Sequence, residues 1–152
     1  MTNGIIFNNK IIDVVFIAMM IAQLTKVFSP LLKGKKPNIT RIFETGGMPS
    51  SHASTVCSLT TSIALVYHLN SIEFAIAFVF SIIVMYDAAG IRREAGKHAK
   101  LLNKILLENK FDLFDTKEFK EFKEFLGHSP KEVFFGAILG ILVSFLMKGY
   151  LI

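Results

Sequence analysis

The sequence predicts an all-α integral membrane protein: one membrane-embedded domain over residues 1–152, with four transmembrane helices and a cytoplasmic amphipathic helical connector. Three observations predict it. Of the 152 residues, 52% are hydrophobic, too large a share for a soluble domain of this size. They are gathered into four apolar runs, at about 11–32, 50–69, 72–89 and 132–152, each near the ~20 residues that cross a hydrocarbon core as a helix. The connectors are polar, and 14 of the 17 Lys and Arg residues fall in two of them, 33–49 and 92–131. A net charge of +5 distributed in this way marks a cytoplasmic membrane face rather than a nucleic-acid surface. The lone Cys57 sits inside an apolar run, so it reads as a small buried hydrophobe and excludes a disulfide framework. No signal peptide is expected, because the first apolar run is too long for an h-region and no small-residue cleavage site follows it.

The first run, Ile11 to Leu32, spans roughly 33 Å as a helix. Asp13, Gln23 and Lys26 interrupt it. Lys26 lies about 9 Å from its end, where it either snorkels to the interface or serves a ligand. The basic connector Lys33 to Thr45, which includes Arg41, leads into Gly46-Gly47-Met48-Pro49-Ser50-Ser51-His52. Two glycines let backbone approach a ligand, and Pro49 at a first helical position would give up no hydrogen bond. The amides that follow, with the hydroxyls of Ser50 and Ser51, form an anion cradle at a helix N-terminus, beside the imidazole of His52. An ordinary capped helix start gives the same seven residues.

In the second run Ser54, Ser58, Thr61 and Ser62 share one helical face, a small polar stripe for close helix packing. Asn70-Ser71 is a tight turn, so the third run returns antiparallel, with His68 and Glu73 at the interface. Asp87, Arg92, Arg93, Lys97 and His98 crowd its end, as an anchoring collar or as an anion-binding focus. Leu101, Leu102, Ile105 and Leu106 then continue as an amphipathic helix from Lys97 to Lys110, and Thr116 to Leu126 repeats the pattern with three phenylalanines. Gly127-His128-Ser129-Pro130 breaks it, and the fourth run carries Gly136 and Gly140 on one flat face. Four spans put both basic connectors on one side of the membrane and both termini outside.

All the reactive groups then share one face. His128 and Glu132, at i and i+4, allow a carboxylate to hold one imidazole nitrogen and leave the other to attack. A second imidazole, His52, stands with them around a basic anion pocket. Here the sequence resembles the type 2 phosphatidic acid phosphatases and vanadium-dependent haloperoxidases, and most closely the small divergent membrane branch of that superfamily. Pro49-Ser50-Ser51-His52 is similar to the family's Pro-Ser-Gly-His, and Gly127-His128-Ser129-Pro130-Lys131-Glu132-Val133 to its last motif, with Glu for Asp. The resemblance implies His128 as nucleophile, Glu132 as its orienter, His52 as the acid for the leaving oxygen, and Ser50 with local amides as phosphate binders. The family's Ser-Arg pair is absent, its positions being Glu121 and Phe122. Arg92 or Arg93 is the evident replacement, with Asp87 in support. Lys26 and Arg41 stand in for its first motif by position only.

The resemblance implies a lipid phosphatase acting on a phosphate monoester through a phosphohistidine, with neither cofactor nor metal. The alternatives are a polyprenyl diphosphate phosphatase and an idle phospholipid-binding protein; a haloperoxidase suits four spans least. A membrane lipid is the expected partner, nucleic acid is not, and association between copies of the chain is left open.

Overall fold

A computed structural model describes residues 3–34, 36–39, 41, 46–107, 122 and 127–152, with backbone alone at 32, 33, 92, 106 and 107. The expected Thr116 to Leu126 helix, apart from Phe122, and much of the 33–45 connector lie outside the described residues. Among those described, every regular element is helical and no strand occurs: α1 Lys10–Phe28, α2 Ser51–Tyr67, α3 Ile72–Ala89, α4 Ile91–Leu107, α5 Pro130–Leu146 and α6 Lys148–Leu151. Among the described residues two segments are long and apolar enough to cross a membrane, Lys10–Leu31 and Ile72–Ile105. At 17 residues each, α2 and α5 are shorter.

Each helix starts where the sequence supplies an oxygen for orphan amides. Asn9 accepts from Ile11 and Ile12, Ser50 from Ala53, Ser71 from Phe74, and Ser129 from Glu132. The first apolar run is not one α-helix as far as Leu32. Pro30 has no N–H to continue the ladder, so the backbone tightens into a 3₁₀ turn over Ser29–Lys33, and the Ser29 hydroxyl donates to the Lys26 carbonyl instead. The fourth run is also divided: α5 ends at Leu146, and α6 turns Tyr150 onto the buried carboxylate of Asp13, which also accepts from the amides of Ile6 and Phe7.

α2 is the central helix, and small residues set how closely its neighbours approach. A Cβ on Gly136 would strike the Ser50 carbonyl, and one on Gly140 the Ser54 carbonyl, so α5 lies directly on the α2 backbone. Ser58 and Ser62 reach the Ser144 hydroxyl at 3.0 and 3.2 Å, and Ser54 donates to the Ala18 carbonyl of α1 at 3.1 Å. Against α3 the polar contacts centre on Thr60, which lies off the expected stripe and is bonded to Ser81 at 2.6 Å, and on Ser81, which donates to the Val56 carbonyl at 3.0 Å. Val14, Ala18, Val143 and Leu151 close the apolar core at the end near the termini. The ends of α1 and α3 and the starts of α2 and α5 meet at the opposite pole.

Candidate active site

Two backbone hydrogen bonds assemble that pole. The Ser50 amide donates to the Glu132 carbonyl at 2.9 Å, pinning the start of α2 to the first turn of α5. The His128 amide donates to the Ala88 carbonyl at 2.9 Å, anchoring the residue before α5 on the last turn of α3. Gly47 (φ +94) and Gly127 (φ +86) make the turns that enter the two helix starts, in a backbone region that favours glycine. The result places His52 Nδ1 3.4 Å from His128 Nε2, with the rings edge to face. His128 Nδ1 lies 3.1 Å from Glu132 Oε2.

Glu132 is held as firmly as it holds. Ser129-x-x-Glu132 is a capping box: the carboxylate accepts from the Ser129 amide at 3.1 Å while the Ser129 hydroxyl accepts from the Glu132 amide. A fixed carboxylate on Nδ1 gives the tautomer with the proton there and the lone pair on Nε2. His128 is 1% exposed. Its pKa is lowered, chiefly by burial and also by the Lys26 charge, while Glu132 and the Gly47 backbone pull the other way. Burial therefore favours the neutral imidazole.

Lys26 does not snorkel. It is 1% exposed, its ammonium donates to Ser51 Oγ at 3.3 Å, and its stem lies alongside Gly47. A cleft of about 260 Å³ opens over His128, Ser129 and Glu132, bounded by Gly46 and Gly47 on one side and by Arg93, Gly96, Lys97 and Lys100 of α4 on the other. Lys97 is paired with Glu94 at 2.6 Å. With Glu132 committed to His128, three cations on α4 leave the cleft suited to an anion.

The structure thus brings together His52, His128, Glu132, Ser51, Lys26 and Arg93. It sets others apart. Ser50 is fully buried, its hydroxyl capping α2 and its amide on Glu132, so the hydroxyl beside the site is that of Ser51. Pro49 precedes the cap and is not the first helical residue, so it frees no amide. Arg41 donates to Ser29 at the end of α1, outside the cleft lining. Asp87 is half-buried next to Ala88, and the Arg92 side chain lies outside the described residues. Sequence reasoning passed over Lys100, although its spacing from Arg93 and Lys97 on one helical face was the available signal. It also passed over Asn103, whose amide pairs with both backbone groups of Phe122 at 2.9 Å. Among the described residues no three His, Cys, Asp or Glu side chains form a metal-binding group.

Two imidazoles and a carboxylate thus converge at the polar pole of an apolar helical bundle. Residues 7–143 match the Divergent PAP2 family, and the chain belongs to it. It is similar to the uncharacterized membrane protein YuiD of Bacillus subtilis (strain 168), with 38% identity over 139 residues that cover 86% of this chain and 88% of that protein. No solved structure matches.

Proposed function

We propose that the chain is a membrane lipid phosphatase hydrolysing a phospholipid phosphate monoester, phosphatidylglycerophosphate or phosphatidic acid, through a phosphohistidine on His128. The observation that carries the reading is the His52–His128–Glu132 relay beneath a cationic cleft. His128 Nε2 attacks phosphorus while Glu132 keeps the Nδ1 proton in place and stabilises the charge that develops on the ring. His52 gives its proton to the departing alkoxide, so the lipid leaves as an alcohol. In the second half His52 takes a proton from water, which attacks the phosphohistidine, breaks the P–N bond and releases inorganic phosphate. Arg93, Lys97, Lys100 and Lys26 supply positive charge for the equatorial oxygens.

In-line transfer puts the attacking nitrogen about 3–3.5 Å from phosphorus and the acid about 2.6–3.2 Å from the leaving oxygen on the far side, so the separation of the two nitrogens must exceed either distance. The present separation is 3.4 Å, so the phosphoryl group has to part the two rings as it enters. That same closeness favours a second reading, a protein that binds a phospholipid phosphate without turning it over. In either case the topology proposed is four spans, with α2 and α5 crossing beside α1 and α3. Both basic connectors and α4 lie at the cytoplasmic headgroup level, and both termini are outside.

The test is phosphate release by purified protein from a panel of lipid monophosphates and polyprenyl diphosphate, with and without chelator. Turnover of a monoester that His128→Ala removes supports the phosphatase. Binding of the lipid phosphate without release supports the second reading, and preference for the diphosphate overturns the monoester.

A further inference from the structure

A second cavity, of about 610 Å³, runs along the seam between α1 and α5. Its walls include Phe28, Leu31, Met48, Phe135, Ile138 and Leu142, apolar side chains from four segments of the chain, with the hydroxyls of Thr25 and Ser29 on the α1 side. Exposed apolar side chains are ordinary on a membrane helix, and α3 presents Ile76, Phe80 and Ile83 outward as a convex ridge. The α1–α5 seam differs in being concave, within the range of about 300–1,000 Å³ that holds a small ligand. It differs also in lying next to the candidate active site, with residues adjacent in the chain lining each. Met48 and Pro49 line the groove while Gly46 and Gly47, just before them, line the cationic cleft. On α5 the succession is the same: Glu132 belongs to the cleft, Phe135 and Ile138 to the groove. Leu142 lies about 15 Å along the helix from Glu132 at 1.5 Å per residue.

We propose that this groove receives an acyl chain of the lipid whose phosphate occupies the cleft, so that the lipid enters sideways between α1 and α5 and the groove sets its chain preference. The inference rests on the phosphate-binding reading of the cleft. A phosphate joined to a long apolar chain is the chemistry that fits a cationic cleft beside an apolar groove; neither half alone selects it. Met48, half exposed where the two meet, is a flexible side chain able to adapt to different chains.

The experiment uses phosphatidic acid carrying a diazirine in mid-chain, in phosphatidylcholine vesicles containing the full-length protein. Photoadducts are expected on Phe28, Met48, Phe135 and Ile138, suppressed by excess unlabelled phosphatidic acid and not by more phosphatidylcholine. Adducts that fall mainly on the α3 ridge and resist that competition overturn the proposal. A kinetic arm compares Ile138→Trp, which narrows the groove, with the native protein. Its kcat/KM on long-chain phosphatidic acid should fall by about 10-fold or more relative to a dibutyryl analogue; equal change on both overturns the groove's role in selection. Photolabelling needs no turnover, so a protein that releases no phosphate yet gives competed groove adducts refutes the phosphatase while the groove stands.

Discussion

Glu132 does three things at once: its Oε2 meets both His128 Nδ1 and the Ser129 amide, closing the capping box, and its carbonyl accepts from Ser50. Its charge raises the His128 pKa against the larger lowering by burial. Since protonation removes the Nε2 lone pair, activity should be lost as pH falls through that lowered value. The acid limb of kcat/KM should therefore lie below the ordinary histidine value of about 6.5. Glu132→Gln keeps the size and an acceptor but removes the charge, so the limb should move further down; an upward move would contradict the assignment. His128→Ala should abolish phosphoenzyme and turnover. His52→Ala should slow a poor leaving group by roughly 10²- to 10⁴-fold and a good one much less, and equal losses on both would speak against His52 as the acid. Arg93→Lys exchanges a bidentate fork for a point charge and should lose most activity; if it is tolerated, Arg93 does not grip the phosphate.

Among the helices, the contact between α2 and α5 has least freedom. Gly136 and Gly140 face carbonyls of α2 at a distance that leaves no room for a methyl group, and Ser58, Ser62 and Ser144 complete a hydroxyl seam beside them. Gly140→Ala should force the helices apart at about 1–3 kcal/mol, visible as a lower unfolding midpoint in detergent. Gly136→Ala presses on the Ser50 carbonyl, whose amide is tied to Glu132, and so should disturb the His52–His128 register as well. Activity should then fall further than stability accounts for. Gly149→Ala has nothing within 4 Å and should be neutral in both measurements. An equal effect at all three positions would mean that close helix approach is not the cause.

For the whole molecule, the decisive property is polarity. One pole holds an apolar core closed by Val14, Val143 and Leu151; the other holds two imidazoles, a carboxylate and a ring of cations. The distribution of 14 of 17 basic residues predicts that this second pole faces the cytoplasm. A cysteine placed in the 33–45 connector of a Cys57→Ser protein should therefore resist an impermeant thiol reagent in intact cells and react once the membrane is opened. Labelling of intact cells would reverse the orientation and direct attention to a diphosphate carried on the outer leaflet.

Composition, run length and two short motifs determined the helical class, membrane character and family, because hydropathy and motif order are properties of the chain read locally. The pairing of His128 with Glu132 was legible for the same reason, since Ser129-x-x-Glu132 is a capping box that turns the carboxylate back toward the residue before the cap. What tertiary structure alone decided is which groups converge. Lys26 could have snorkelled, but its place against Gly47 and Ser51 depends on how α1 docks on α2. Ser50 looked like a ligand group until the bond to Glu132 committed its amide to holding two helices together, and the expected helix start at Pro49 moved to Ser51. Arg93 and Lys100 join His128 because the first turns of α4 line the same cleft as the 127–132 segment. That long-range packing, between residues dozens of positions apart, leaves no periodic trace in the sequence.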